Sequence, residues 1–164
     1  MISGLYKDLY ENLIRKIDKN RIFHDPLHTL AYGTDASFYR LIPKLVIRAK
    51  DEDEISMILR SCSELEIPVT FRAAGTSLSG QAISDSVLVI AGSNWKKYSI
   101  NNDGSEIKLQ PGITGGRANL ILAPLGRKIG PDPASINSAM IGGIAANNAS
   151  NISGTVICHG DSCK

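Results

Sequence analysis

The chain has 164 residues, of which 43% are hydrophobic and 21% charged, and its formal net charge is +2. That length suits one domain, since a chain of about 150 residues buries roughly two thirds of its unfolded surface. The 18 basic and 16 acidic residues are nearly balanced and form no basic run interleaved with aromatic residues, which argues against nucleic-acid binding. Without a signal peptide or a long apolar run, we expect a cytoplasmic chain with no membrane span.

The first 43 residues predict a helix followed by an irregular lead-in. Residues 3 to 19 have the pattern of an amphipathic helix, because apolar side chains recur at helical spacing. These side chains are Leu5, Leu9, Leu13, Ile14 and Ile17. Charges of both signs on the rest of the helix favour packing on a protein core over a membrane contact. Residues 20 to 43 contain the breakers Pro26, Gly33 and Pro43, so we expect irregular structure there.

A strand, a helix and a second strand follow in the sequence. Leu45-Val46-Ile47-Arg48 is a short apolar strand, and residues 68 to 72 form the next one. Between them, Asp51 followed by Glu54 is a capping signal that predicts a helix from about residue 52 to residue 65. A right-handed crossover would place the two strands side by side and parallel. The loop after them would then lie at their carboxyl edge, where open α/β sheets bind ligands.

The remaining elements complete the expected fold class. Residues 87 to 91 form a further strand. Residues 97 to 100 and 106 to 110 predict an antiparallel hairpin around the turn sequence Asn101-Asn102-Asp103-Gly104, and residues 114 to 123 suit a short helix. We therefore expect an α/β (α+β) fold, with a small parallel or mixed sheet flanked by helices and a separate antiparallel hairpin.

The loop of residues 71 to 81, FRAAGTSLSGQ, is rich in small residues. Glycine lets backbone N–H groups approach a ligand closely, and Thr76, Ser77 and Ser79 add hydroxyl groups, so the loop suits a pyrophosphate. It is not a Walker A loop, because Gln81-Ala82 stands where Lys and Ser/Thr would be, and no G-x-G-x-x-G opens a helix. An ordinary Gly/Ser turn between strands is the alternative.

A second segment of small residues follows later in the chain. It runs from residues 126 to 135, GRKIGPDPAS, into residues 141 to 150, IGGIAANNAS. Such residues supply little core, so we expect their backbone to pass close to a planar or charged group. Two segments of this kind in one chain suggest a single shared ligand.

In this order, the motifs RAAGTSLSGQ, PGITGG and GRKIGPDPASINSAMIGGIAANNAS resemble the FAD-binding domain of the FAD-linked oxidase family, which has the vanillyl-alcohol oxidase (PCMH-type) fold. The resemblance covers about residues 29 to 150 and points to D-lactate and related D-2-hydroxyacid dehydrogenases. It implies oxidation of a D-2-hydroxy acid such as D-lactate by hydride transfer to FAD. The catalytic residues would then lie in a substrate domain outside this chain, and complete enzymes of this type can sit on the membrane.

The resemblance also implies a set of cofactor contacts. The first loop would hold the FAD pyrophosphate through Ala73, Ala74, Gly75, Thr76, Ser77, Gly80 and Gln81. The second segment would line the flavin and its ribityl-phosphate arm through Pro131, Asp132 and residues 139 to 143, above all Ala139, Gly142 and Gly143, with Asn147 as a further contact. Relatives with covalent FAD often have histidine where this chain has Thr76, so noncovalent FAD is implied. Asn147 and Asn148 would donate to flavin or phosphate oxygens, or would only serve a turn.

The family domain has two lobes, and the resemblance implies that residues 44 to 150 are the first lobe alone. Residues 151 to 164 depart from the family pattern and suggest a divergent or truncated tail. A second lobe or subunit would complete the FAD site, and a small 2-hydroxy acid would be the substrate. The alternative is a truncated noncatalytic remnant or split subunit that keeps the fold but does not bind FAD alone.

Other reactive side chains have simpler structural interpretations. Cys62 falls in a predicted helix, where it serves as a small buried hydrophobe. The tail carries Cys158, His159 and Cys163, but no fourth ligand or paired C-x-x-C spacing, so no metal site is predicted. Asp132 and Arg127 stand beside the expected flavin site, where a turn former before proline and a solvated arginine are the simpler roles.

Overall fold

A computed structural model of the chain describes residues 2–101, 103–149, 158–159 and 162–163. Within these ranges, every helix is too short or too polar to cross a lipid bilayer. The centre of the fold is a four-stranded mixed sheet with helices packed on it, and a two-stranded hairpin lies apart from that sheet. This arrangement confirms the mixed α/β class predicted from the sequence.

The first helix is shorter than predicted. Helix α1 (Leu5–Leu13) ends in a turn in which the carbonyl of Leu13 accepts from the N–H groups of Lys16 and Ile17. The turn places Ile17 in the core, where it is 1% exposed. The expected extension to residue 19 is therefore wrong, because apolar spacing does not distinguish a continued helix from a turn that buries the same side chain.

Residues 20 to 43 are not uniformly irregular, so that prediction is also wrong. Strand β1 (Ile22–Phe23) pairs antiparallel with the next strand along the chain. Helix α2 (Pro26–Ala31) begins at Asp25, whose carboxylate accepts from the N–H of His28. Aspartate followed by proline is a helix start signal, since the proline ring suits the first turn and lacks only an N–H that the helix leaves unpaired.

Three parallel strands form the rest of the main sheet: β2 (Leu45–Arg48), β3 (Val69–Arg72) and β4 (Val87–Ile90). The order across the sheet is β1-β2-β4-β3, so β4 separates the two strands that the sequence placed side by side. That prediction is wrong, although the parallel direction is correct. Strand β4 takes the central place because its continuous apolar run is covered on both faces, whereas edge strand β3 is partly exposed.

Helix α3 (Glu52–Glu64) connects β2 to β3 and matches its prediction. The carboxylate of Asp51 caps it by accepting from the N–H of Glu54 at 2.9 Å. Cys62 lies on its buried face and is 1% exposed, as expected, and burial raises the pKa of this thiol to about 11. The core beneath α1 and α3 is built mainly from Leu9, Leu13, Ile17, Ile22, Leu45, Ile47, Ile58, Val87, Val89 and Trp95.

The elements after β4 also follow the sequence prediction. Strands β5 (Tyr98–Ile100) and β6 (Ile107–Leu109) form the antiparallel hairpin. Helix α4 (Gly115–Leu122) is capped by the Thr114 hydroxyl and leads into a 3₁₀ turn, Ala123–Leu125. The structure further describes helix α5 (Ile141–Ala146) and a short antiparallel pair, β7 (Cys158–His159) and β8 (Ser162–Cys163).

A partly buried salt bridge joins the lead-in to the carboxyl edge of the sheet. The two terminal nitrogens of Arg21 each donate to one carboxylate oxygen of Glu54 at 2.6 Å. The same guanidinium donates to the carbonyl of Arg48 at 3.0 Å, and the N–H of Lys50 donates to Glu54 at 2.9 Å. Bidentate, charge-assisted bonds of this kind are among the strongest in proteins. They fix the end of β2 against the start of α3.

We predict that Glu54→Gln lowers the free energy of unfolding by about 3 kcal/mol, because it leaves Arg21 without its charged partner in a largely buried place. The bond from Arg21 lowers the pKa of the Glu54 carboxyl below its unfolded value of about 4.3. Its stabilisation is therefore complete above that unfolded pKa and is lost as the pH falls through the folded pKa. Urea unfolding, followed by the fluorescence of the single tryptophan, Trp95, measures both effects.

Asp53→Asn is the matched control, since Asp53 is an exposed carboxylate in the same helical turn. Between about pH 6 and about pH 3, the wild type and this control should lose more stability than Glu54→Gln. Equal losses in all three proteins would contradict the role assigned to the salt bridge.

Candidate functional site

A cleft of about 300 Å³ opens beside the carboxyl end of β3. That volume is at the lower end of the range for small-molecule pockets, about 300 to 1,000 Å³. Residues from both small-residue segments of the sequence line it: Ala73, Ala74, Gly75, Thr76, Ser77, Gln81, Gly142, Gly143 and Asn147. The fold thus brings together two segments that lie far apart along the chain.

Four of the residues expected at the cofactor do not line this cleft: Gly80, Pro131, Asp132 and Ala139. Gly80 packs instead against the ring of Tyr39, which a Cβ at this position would approach to 3.0 Å. Ala139 is 5% exposed, and its carbonyl accepts from the N–H of Gly115. The carboxylate of Asp132 lies 3.9 Å from the Lys128 ammonium.

The backbone of the first loop is shaped by left-handed glycines, of which Gly75 lines the cleft, and by one hydroxyl. Gly75 has φ +73°, a conformation that side chains other than hydrogen make costly. The Ser77 hydroxyl accepts from the N–H groups of Ser79 and Gln81 and contacts the Gln81 side-chain oxygen, so it is used within the loop. Among the described residues, none accepts a hydrogen bond from the N–H of Gly75 or Thr76. Adjacent unpaired amides of this kind suit an anion.

Helix α5 supplies the opposite lining through two glycines with different surroundings. A Cβ on Gly142 would lie 2.7 Å from the Cβ of Pro111, and the N–H of Gly142 donates to the Pro111 carbonyl at 3.0 Å. Gly142 therefore allows α5 to pack closely on that loop. A Cβ on Gly143 would meet nothing within 4 Å, so Gly143 presents bare backbone to the open cleft.

The cleft lining also includes Met140, within the expected 139–143 stretch, and three residues that no sequence motif assigned to the cofactor: Ile55, Ala91 and Pro111. Pro111 belongs to PGITGG, a motif that was recognised but given no role. The next residue, Gly112, explains its position, because a Cβ there would overlap the carbonyl oxygen of Gly92 at 1.9 Å. This close backbone contact brings the 111–113 loop against the chain that leaves β4.

Arg72 gives the cleft a positive charge. It is the only ionisable side chain among the residues described as lining the cleft, and no carboxylate is among them. Burial lowers the pKa of the Arg72 guanidinium, which starts from so high a value that the group stays charged at neutral pH. Small side chains, unpaired amides and one cation suit an anionic ligand with a flat portion.

A metal centre is not visible in the described part of the chain. Those residues do not gather three or more His, Cys, Asp or Glu side chains in one place. The Cys158, His159 and Cys163 cluster falls outside the residues whose side chains are described.

We predict that Gly142→Ala lowers the free energy of unfolding by about 1–3 kcal/mol, because its methyl group would overlap Pro111. Gly143→Ala, one residue further in the same helix, should leave stability unchanged or raise it slightly, since its methyl group enters open space. Urea unfolding of the pair compares the two positions directly. Equal destabilisation would contradict the close packing assigned to Gly142.

Comparison with known proteins agrees with this fold and shows the family of the chain. Residues 43–163 match a family model described as FAD binding domain. The chain is 31% identical over 167 residues to glycolate oxidase subunit GlcD of Escherichia coli (strain K12), covering 92% of this chain and 34% of that protein. It is 28% identical over 154 residues to the mitochondrial D-lactate dehydrogenase [cytochrome] of Arabidopsis thaliana, covering 92% and 25%. The chain thus spans about a third or less of these relatives.

Among solved structures, p-cresol methylhydroxylase with substrate bound superimposes with a TM-score of 0.73 at 12% identity. The match covers 91% of this chain and 30% of that one. At such low identity the agreement concerns the fold, and it confirms the architecture implied by the sequence motifs.

Proposed function

Since this chain belongs to the FAD binding domain family, we propose that it binds FAD noncovalently as the first lobe of an oxidoreductase that oxidises a small 2-hydroxy acid. The observation that carries the proposal is the convergence of residues 73–81 and 142–147 on one cleft. Glycolate and D-lactate, which the two relatives are named for, are both 2-hydroxy acids and set the substrate class.

The residues of the cleft fit the two chemical parts of FAD. The unpaired N–H groups of Gly75 and Thr76, with the charge of Arg72 beside them, suit the pyrophosphate. The bare backbone at Gly143 leaves room for a flat group, and the Asn147 side chain offers a donor at the same cleft. Ala73, Ala74, Ser77, Gln81 and Gly142 would complete the lining.

The side chains present support the proposed noncovalent attachment. The described lining contains no histidine, cysteine or tyrosine, the side chains with nucleophiles suited to attack a flavin. Thr76 has only a weakly nucleophilic hydroxyl, and the lining has no base to activate it. The chain's part is to bind and orient the cofactor.

FAD would supply the redox chemistry by accepting a hydride from the carbon that bears the substrate hydroxyl. The described lining lacks a group suited to take the hydroxyl proton, which supports the expectation that a base and the carboxylate-binding residues lie in a separate substrate domain. A second lobe or subunit would cover the rest of FAD. The contacts of Gly80, Pro131, Asp132 and Ala139 with FAD remain predictions.

We predict that the purified chain, given FAD and passed through a desalting column, is yellow and has a higher melting temperature than the chain without FAD. Acid precipitation should release all of the flavin into the supernatant, because no covalent bond holds it. Absorbance between 350 and 500 nm measures both fractions.

A colourless protein whose melting temperature does not respond to FAD would contradict cofactor binding by this lobe alone. That result would favour the noncatalytic remnant or split subunit. Flavin that stays with the precipitate would contradict the noncovalent attachment.

Gly143→Ala should weaken FAD binding about tenfold or more, because its methyl group takes space within the cleft without changing the fold. Ser93→Ala is the control, since Ser93 is exposed and lies outside both the cleft lining and the second small-residue segment. Titration of FAD fluorescence against each variant gives the dissociation constants. Equal affinities of the two variants would contradict the placement of FAD against Gly143.

A further inference from the structure

The function proposed above does not account for the backbone segment that precedes β2. We call residues 32–37 the clasp segment and residues 73–82 the cofactor loop. The N–H of Ala36 donates to the carbonyl of Gly75 at 3.1 Å. At the other end of the loop, the N–H of Ala82 donates to the Asp35 carboxylate at 3.3 Å. The clasp segment therefore joins both ends of the cofactor loop.

Asp35 is held in place for this contact. Its other carboxylate oxygen accepts from the N–H of Ser37 at 2.9 Å, which fixes the side chain within its own turn. These hydrogen bonds and the nearby Arg72 charge outweigh burial and lower the pKa of the Asp35 carboxyl. Asp35 and Arg72 therefore carry opposite charges at neutral pH.

The Arg72 side chain reaches the clasp segment from the end of β3, directly before the cofactor loop. Its Nη1 group donates to the Thr34 carbonyl at 2.7 Å, with longer contacts to the carbonyls of Tyr32 at 3.3 Å and Ala82 at 3.5 Å. The guanidinium carbon also lies 5.8 Å from the centre of the Tyr32 ring, within cation–π range. The Arg72 guanidinium therefore donates hydrogen bonds to carbonyls of both segments.

The same guanidinium supports the turn at Gly75. A Cβ on Gly75 would lie 2.5 Å from the guanidinium, so the turn packs directly on this group. The unpaired amides of Gly75 and Thr76 belong to that turn. Their orientation is therefore tied to the position of Arg72.

We propose that Arg72 is a positioning residue, which links the clasp segment to the cofactor loop and holds the loop amides in the arrangement that receives the phosphates of FAD. This inference rests on the proposed function but is tested first without FAD. Because Nη1 is directed at the carbonyls of Thr34 and Ala82, the proposal assigns Arg72 a role through the loop, and the titration below tests it against direct contact with a phosphate.

Hydrogen–deuterium exchange of the FAD-free chain tests the link. The reporters are the amides of Ala36 and Ala82, whose bonds bridge the two segments. Arg72→Met should speed their exchange about tenfold or more, while the core amides of β2 and β4 keep their wild-type rates. Arg72→Lys should restore part of the protection, since an ammonium can still donate to carbonyls.

Arg48→Met is the matched control. Arg48 and Arg72 both lie opposite Ile90 in the strands flanking β4, and both contact Tyr32, but Arg48 bonds only the tyrosine hydroxyl. Its loss should leave the reporter amides at wild-type exchange rates. The proposal is overturned if the amides of Ala36 and Ala82 exchange at wild-type rates in both Arg72 variants. It is also overturned if the amides of β2 and β4 exchange faster by the same factor as these reporters. If Arg72→Met does not fold, the exchange rates of the two reporter amides in Arg72→Lys test the proposal alone.

FAD titration of the same variants separates the positioning role from direct binding. Positioning predicts weaker FAD affinity in Arg72→Met, with partial recovery in Arg72→Lys and no change in Arg48→Met. If Arg72→Met binds FAD more weakly but its reporter amides exchange at wild-type rates, Arg72 contacts a phosphate directly and the proposal is overturned. If the reporter amides exchange faster but the FAD affinity is unchanged, the link does not position the loop for FAD and the proposal is also overturned. A wild-type chain that does not bind FAD would contradict the proposed function, while the exchange experiment still tests the link.

Discussion

The placement of β4 between β2 and β3 is the constraint on which the rest of the structure depends. Strand β4 pairs in parallel with both neighbours, so the carboxyl ends of the three strands lie at one edge of the sheet. The loop after β3 forms the cleft at that edge. The chain leaving β4 then meets Gly112 by direct backbone contact, and this contact positions Pro111 and, through it, helix α5. Both walls of the cleft therefore take their positions from one buried strand.

Charged side chains secure this edge by bonding to backbone carbonyls and amides as well as to each other. Arg21 and Glu54 hold the end of β2 against α3. Arg72 and Asp35 hold the cofactor loop and the end of β3 against the clasp segment. In the described residues, no buried side-chain nitrogen or oxygen lacks a hydrogen-bond partner. Complete pairing of this kind makes a polar edge rigid.

Local signals in the sequence predicted most elements but not their arrangement. The Asp51 cap and the Asn101–Gly104 turn each act within a few residues, so their helix and hairpin are found where expected. The order of the strands depends on which apolar run is covered on both faces, a property of the assembled sheet. The lining of the cleft also depends in part on the assembled fold. The small residues of the 73–77 loop marked one wall, whereas Ile55 and Pro111 join the lining only through tertiary packing.

The contact of Gly112 with the Gly92 carbonyl has a consequence for how this cleft can change. Main chain rests on main chain there, so the position of the 111–113 loop depends on the absence of a side chain at Gly112. Lining residues that do not position a wall, such as Thr76 and Asn147, can change the polarity of the cleft while this contact is kept. A protein built in this way can acquire new ligand preferences without refolding, provided that Gly112 is retained.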